Sequence, residues 1–309
     1  MNRFRAVFIV MLAAGLVAPM VAYPIFLMKA LCFALFACAF NLLLGFTGLL
    51  SFGHAAFFGS AGYVAGHAIK VWGFPFEAGL LLAVASTAAL GWAIGSLAIR
   101  RQGIYFAMIT LALAQMVYFL CLQAKFTGAE DGLQGVPRGT LLGLVDLSDD
   151  MNMYYVVLGL FIAGFLLVYR TVHSPFGQVL KAIRENEPRA LSLGYDVDRY
   201  KLLAFVLSAA LSGLAGATKC VVLGFGTLTD VNWPMSGEVV LMTLIGGIGT
   251  IFGPVVGAFS IITLQNVLAD KVGSWVQVIM GAIFVLCVLA FRRGIVGELG
   301  ALFQGRGNR

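Results

Sequence analysis

The sequence predicts an all-α fold, a polytopic transmembrane helix bundle of about ten spans. Composition is the first reason: 61% of the 309 residues are hydrophobic, 11% are charged, and mean hydropathy is +0.96. An ordinary soluble domain is about 25% charged. Twenty basic and fourteen acidic side chains are too few to cover a soluble protein of this length. Secreted, disordered and nucleic-acid-binding classes are thereby excluded. Segment length is the second reason: apolar runs near the roughly 20 residues that span a bilayer recur along the chain. The polar stretches 124–152 and 170–201 are the third, because each is too short for a core of its own. The chain therefore reads as one domain, 1–309.

The first apolar segment, Ala6–Tyr23, follows Arg3 and Arg5. A signal peptide would show a small-residue cleavage site. Here Tyr23-Pro24 and a further apolar run follow at once, so the segment reads as a first span with its N-terminus inside. The next segments are Ile25–Gly45, Leu50–Ile69, Ala78–Ile99, Gly103–Leu122, Met153–Tyr169 and Leu202–Leu223. Glu238–Ala269 is too long for one span and is interrupted by Gly246, Gly247, Gly249, Gly253 and Pro254. Ser274–Phe291 is the last apolar segment.

Charge fixes the count. Lys and Arg gather on the cytoplasmic side, which places Arg100-Arg101, 170–201 and Arg292-Arg293 inside. An even number of crossings must then separate Lys201 from Arg292. A hairpin of two short spans at 238–269 gives four crossings, and a single long span gives three. The hairpin yields ten spans with both termini cytoplasmic, 170–201 inside and 124–152 periplasmic. Fourteen of the twenty basic residues then lie inside and nine of the fourteen acids outside. Spans one to five and six to ten would form an inverted pair. Gly45-Phe46 and Gly224-Phe225 are its echo in sequence.

Cys32, Cys38, Cys121, Cys220 and Cys287 all lie in apolar segments without Cys-x-x-Cys spacing. They read as small hydrophobes and not as disulfides or metal ligands.

Glycines recur at 45, 48, 53, 59, 62 and 66. Gly59, Gly62 and Gly66 suit close helix contact, and Gly45–His54 reads as a break followed by a helix start. Two readings stand beside each other. One is tight packing plus a turn; the other is a substrate path lined by Asn41, Gly48, Ser51, Gly53, His54 and exposed backbone. His54 has no partner histidine at ligand spacing, so metal is not expected. It is expected to order the broken helix through a hydrogen bond. Asn41 and Gln115 are expected to bond between helices. Lys219, near the outer end of its span, is expected to snorkel. No Asp or Glu is expected near a span centre, which argues against an ion-coupled transporter or proton pump.

Within 170–201, Ser174 can cap a helix with Pro175 at its first position. Phe176, Val179, Leu180 and Ile183 recur at helical spacing, and Lys181, Arg184 and Glu185 lie mostly opposite them. Pro188 would start a second short helix, Arg189–Leu193, that Gly194 ends. A membrane-surface helix pair and a docking element for a cytoplasmic partner are the two readings. In 124–152, Asp131 is expected to cap a turn or meet an external partner. The chain lacks a P-loop, Gly-x-Ser-x-Gly and a catalytic Cys/His pairing, so no catalytic residue is expected.

Gly45–Gly66, Asp131-Gly-Leu-Gln-Gly-Val-Pro137, Ser174–Asp198 and Gly246-Gly-Ile-Gly-Thr-Ile-Phe-Gly-Pro254 closely resemble the branched-chain amino acid importer permeases of ATP-binding-cassette (ABC) systems. The similarity runs over roughly 25–295. It implies a bacterial inner-membrane subunit with a homologous second permease, two cytoplasmic ATPases and a periplasmic binding protein. ATP and Mg would sit on the ATPases, with no cofactor on this chain. The resemblance also implies that Ser174, Pro175, Gly177, Arg184, Glu185, Asn186, Ala190 and Gly194 belong to the region gripped by an ATPase. Ala190-Leu-Ser-Leu-Gly194 matches the Ala-x-x-x-Gly part of the coupling motif, with Pro188-Arg189 where that motif has Glu-Ala. Urea, amide and aromatic-acid importer permeases look similar and supply the alternative substrates.

Overall fold

The structure is a computed structural model that describes residues 2–20, 22–275, 278, 279, 281–283, 285, 294, 296 and 297. Its helices are α1 (Asn2–Val17), α2 (Pro24–Thr47), α3 (His54–Lys70), α4 (Phe76–Ala98), α5 (Ile104–Gln123), α6 (Asp150–His173), α7 (Pro175–Glu185), α8 (Glu187–Ser192), α9 (Val197–Leu223), α10 (Trp233–Gly246) and α11 (Gly253–Val272). Nine of the ten expected spans thus appear as one helix each: α1 to α6 and α9 to α11. The tenth, Ser274–Phe291, lies largely outside the described residues, as do Arg292, Arg293, Arg306 and Arg309. Among the described residues, five helices (α2, α4, α5, α6 and α9) are long and apolar enough to cross a membrane.

The bundle is built around α2. Its sequence is apolar on every face, and such a helix must be buried all round. In its most apolar window 89% of residues are buried, against 28% for α5 at the periphery. Helix α9 packs antiparallel on α2: Ser208 donates to the Ala39 carbonyl (2.6 Å), and Lys219 Nζ lies 5.9 Å from the Phe33 ring. Small residues let α3 close on the same helix. A Cβ at Gly216 would stand 1.8 Å from the Phe58 carbonyl oxygen, so the backbones meet where only glycine fits. Helix α1 is tied to α6 by the Tyr154 hydroxyl, which donates to the Gly15 carbonyl (2.6 Å).

Two long helices end in the same way. Gly48 closes α2 at φ +79° and Gly224 closes α9 at φ +75°, both in the left-handed region that glycine tolerates. A connecting segment and a short helix follow each: α3 has 17 residues and α10 has 14. Because α2 and α9 are antiparallel, the two units point to opposite ends of the bundle. This is the local geometry of an inverted repeat, in which Gly48 corresponds to Gly224; the Gly45-Phe46 echo is out of register by three residues. Gly246 and Gly253-Pro254 separate α10 from α11, so 238–269 is a hairpin and not one span.

Four two-residue strands complete the fold: β1 (Leu133–Gln134), β2 (Thr140–Leu141), β3 (Val145–Asp146) and β4 (Phe225–Gly226). β1 pairs antiparallel with β4, and β2 with β3. The first pair stitches the α5–α6 connection to the end of α9. In the α5–α6 connection, Gly132, Gly135 and Pro137 predict turns.

Candidate coupling site and broken-helix site

The six residues 48–53 between α2 and α3 are non-helical, and two of their backbone N–H groups are held by hydroxyls. The Phe52 N–H donates to Thr110 Oγ1 on α5 (3.3 Å), and the Gly53 N–H donates to Ser51 Oγ (3.2 Å). Ser51 is fully buried. His54 opens α3, and Ser236 Oγ of α10 accepts from the adjacent Ala55 N–H at 2.9 Å. A side chain from another helix thus serves one of the free amides of the α3 N-terminus.

His54 is fully buried among the rings of Phe40, Phe57 and Phe205. Its Nε2 lies 2.8 Å from Ser208 Oγ, and Ser208 spends its one proton on the Ala39 carbonyl. The imidazole must therefore donate from Nε2–H, leaving Nδ1 unprotonated. Nδ1 has no hydrogen-bond partner among the described residues. Ser208 is the partner that the sequence could not show, 154 positions away.

Beside Gly48, a cavity of about 430 Å³ opens between the break and the start of α5. Gly48, Leu49, Leu50, Phe52, Phe106 and Met108 contribute to its almost wholly apolar wall.

The exposed helix pair is built as its residues dictate. Ser174 Oγ accepts from the Gly177 N–H (3.3 Å), with Pro175 at the first position of α7. Gly177 sits against the last turn of α6, where a Cβ would meet the Val172 carbonyl at 2.3 Å. Leu180 and Ile183 face inward. The second helix is Glu187–Ser192, not Arg189–Leu193. Asn186 caps it by accepting from the Arg189 N–H (3.0 Å), so Pro188 falls inside the first turn. Gly194 follows at φ +85° and carries the chain away. Ala190 is buried against Ile183 and Val197, while Leu191 and Leu193 are 55% and 68% exposed. Glu185 is exposed as well.

The elbow between α7 and α8 is fastened to the bundle on both sides. Arg184 Nη1 donates to the Gly45 carbonyl in the last turns of α2. Glu187 accepts from Gln102 (2.8 Å) and pairs with Lys201 Nζ (2.6 Å), whose side chain is 3% exposed. Four residues before Gly45, Asn41 reaches the connection between α10 and α11. Its Nδ2 donates to the Thr250 carbonyl (2.8 Å), and its Oδ1 accepts from the Gly249 N–H (3.0 Å). Gly45 and Gly249 lie together, since a Cβ at Gly45 would be 2.7 Å from the Gly249 nitrogen. Of the expected path residues, Gly48, Ser51 and Gly53 lie in the break and His54 opens α3, whereas Asn41 belongs to this second junction.

Two expectations about charge are corrected. Lys219 does not snorkel: it pairs with Asp230 at 2.5 Å, and both side chains are 8% exposed. Asp230 lies in a one-turn helix, Leu228–Asp230, that folds back onto α3. An acid is also present within the bundle, for Glu238 lies half-buried on α10. Asp230 lies just past the end of α9 in sequence, and the fold-back of 225–232 carries it inside.

Among the described residues no group of three or more His, Cys, Asp or Glu could hold a metal ion.

Residues 22–288 match the family described as "Branched-chain amino acid transport system / permease component". Among curated relatives, the high-affinity branched-chain amino acid transport system permease protein LivM of Salmonella typhimurium is 27% identical over 83% of this chain and 65% of its own length. The chain thus matches slightly under two thirds of that relative. The probable branched-chain amino acid transport permease protein LivM of Methanocaldococcus jannaschii is 25% identical over 61% of this chain and 56% of its own. The autoinducer 2 import system permease protein LsrC of Klebsiella pneumoniae is 29% identical over 58% and 52%. Among solved structures, PsaBC from Streptococcus pneumoniae in complex with Fab has a TM-score of 0.45 at 17% identity, covering 89% of this chain and 95% of that one. With the family match running over most of the chain, this multi-pass membrane protein belongs to the permease component family of branched-chain amino acid transport systems.

Proposed function

We propose that the chain is a permease subunit of an ABC importer that moves leucine, isoleucine, valine or related amino acids across a bacterial inner membrane. In this reading α7 and α8 face the cytoplasm and receive an ATPase subunit on the exposed face that carries Glu185, Leu191 and Leu193. A second ATPase, a homologous permease and a periplasmic binding protein complete the assembly. ATP and Mg act on the ATPases, and this chain contributes a path and two conformations. Both termini lie on the cytoplasmic side.

The observation that carries the reading is the Arg184 bond to the Gly45 carbonyl. A displacement of α7 is passed directly to the end of α2. Asn41 extends that link to the α10–α11 connection, and the break at 48–53 adjoins it. The apolar cavity beside Gly48 suits an aliphatic side chain. The buried Asp230 is neutralised by Lys219. Asp230 is therefore not the free intramembrane carboxylate that ion-coupled transport would use, and Glu238, which has no ion-pair partner among the described residues, is the acid that the proton-gradient arm of the test examines.

The test is uptake into proteoliposomes containing the assembled importer, supplied with its binding protein and internal ATP. Leucine accumulation that requires ATP and is competed by isoleucine and valine supports the reading. Accumulation driven by a proton gradient with this chain alone contradicts it. Competition by urea or aromatic acids, but not by valine, would move the substrate to the alternative class.

A further inference from the structure

The connection from α5 to α6 crosses the end of the bundle opposite α7, since α6 begins there and reaches α7 at its other end. Its hairpin, β2–β3, is tied down at base and tip. At the base, Arg138 pairs with Asp150 (2.6 Å) and donates to the Val222 carbonyl in the last turn of α9 (3.0 Å). The Leu147 N–H donates to the Gly139 carbonyl (3.1 Å), and the Leu147 side chain is fully buried. At the tip, Glu77 in the first turn of α4 accepts from the Leu142 N–H. The hairpin therefore reaches from the end of α9, which packs on the central α2, outward to the start of α4.

The tip is apolar and uncovered. Leu142 is 75% exposed, Leu144 is 87% exposed, and Val145 is exposed beside them. Leu142 also sits at φ +49°, where L side chains are rarely found, whereas glycine takes the left-handed position next to it at 143. A strained leucine whose side chain is left in the open points to a use for that side chain. The position of the tip says what covers it. One turn on from Glu77, Leu81 begins an exposed stripe on α4 that continues through Ala85, Ala89, Trp92 and Leu97 and carries no charge. A span with such a face meets hydrocarbon there. Just before α4, Trp72 and Phe74 are exposed as well, and aromatic rings of this kind gather at the headgroup level. The polar residues Thr140 and Asp146 pair across the base of the hairpin, away from the tip.

We propose that the β2–β3 hairpin is a membrane anchor: Leu142 and Leu144 insert into the lipid leaflet on the side opposite α7, at the headgroup–acyl boundary beside the start of α4. The Glu77 bond sets the tip at the head of the apolar stripe of α4, so the lipid-facing surface continues from the helix onto the hairpin. A soluble partner would find no charged or hydrogen-bonding side chain over 141–145 to recognise. The anchor pins the α5–α6 connection, which β1 and β4 stitch to the end of α9, to the bilayer surface. It does not depend on which solute the protein carries.

The experiment attaches a nitroxide to Leu144→Cys in the complete importer, held in nanodiscs of phosphatidylcholine and phosphatidylglycerol. Relaxation by oxygen, which concentrates in lipid, is compared with relaxation by a water-soluble nickel chelate. Wild-type protein treated with the same reagent sets the background from the native cysteines. The oxygen-to-nickel ratio at Leu144→Cys is expected to exceed that at Asp149→Cys, beyond the base of the hairpin, at least threefold. Adding Leu142→Gly relaxes the backbone and removes one anchoring side chain. It is expected to lower the ratio at least twofold while the complex melts no earlier than wild type. Equal ratios at the two labelled positions place the tip in water and overturn the anchor. Low access to both reagents places the tip against protein and overturns it as well. Adding the binding protein is expected to leave the ratio unchanged, and a ratio lost on that addition assigns the tip to the binding protein instead.

Discussion

Arg184, on the exposed helix pair, donates a hydrogen bond to the backbone carbonyl of Gly45 inside the bundle. The arginine runs between two glycines to reach it. Its Cγ lies 3.1 Å from the position a Cβ would take at Gly48, and its Nη1 lies 3.1 Å from that position at Gly249. Gly249 is at φ +74°. Gly249→Ala therefore brings a methyl into a left-handed backbone and against the guanidinium. A cost of about 1–2 kcal/mol is expected from the backbone alone. The expected outcome is a lower melting temperature of the assembled complex and weaker substrate stimulation of its ATPase. Gly237→Ala, where nothing lies within 4 Å, is the control and should be silent.

Asn41 satisfies two backbone groups that have no other side-chain partner in the α10–α11 connection. Asn41→Leu leaves the Gly249 N–H and the Thr250 carbonyl unpaired at a part-buried junction. Each orphaned group costs about 1–3 kcal/mol. Thermal unfolding of the purified complex is expected to show a clear destabilisation. Hydrogen exchange should localise it to 247–252. An unchanged exchange pattern there would show that the connection is held by other contacts.

The His54–Ser208 bond fixes a tautomer. Nitrogen-15 NMR of labelled histidine should report His54 protonated at Nε2 and bare at Nδ1. Ser208→Ala removes the acceptor of the Nε2–H and the donor to the Ala39 carbonyl. The expected cost is about 1–3 kcal/mol. An Nδ1–H signal for His54 would contradict the assigned network.

Much of this fold was legible because membrane spans announce themselves by length and apolarity. The nine described spans lie where the hydropathy runs place them, and the parity of the basic residues correctly divides 238–269 into α10 and α11. Ser174 and Pro175 start α7 by local chemistry alone. What was not legible depends on partners far apart in the chain. Ser208 meets His54, and Thr250 meets Asn41, through packing that no periodicity encodes. Lys219 reads as a snorkelling residue until the 225–232 segment is seen folding Asp230 back against it. In sequence Pro188 is a stronger local signal than Asn186 two residues before it, so the start of α8 reads two residues late.

One titration lies outside the spans. The Asp146 carboxylate accepts the Ser148 N–H at 2.9 Å, and this backbone bond holds its pKa below the usual 3.8. A depressed carboxyl stabilises its turn above the unfolded value, and that contribution is lost as pH falls through the folded value. The Ser148 amide signal should therefore shift only once pH drops below the ordinary carboxylate range. Asp146→Asn should abolish that shift. A midpoint at or above the usual 3.8 would contradict the depressed value.

The central claim is that movement of α7 reaches the transport path through Arg184. The most direct measurement is leucine-stimulated ATP hydrolysis by the complete importer with Arg184→Ala, set beside Arg184→Lys. A charged hydrogen bond to a carbonyl is worth about 1.5–3 kcal/mol. The account predicts that alanine removes most of the substrate stimulation while ATP hydrolysis without leucine persists, and that lysine, which keeps a donor, recovers part of it. Full stimulation in Arg184→Ala, with the complex intact and leucine uptake unchanged, would contradict it.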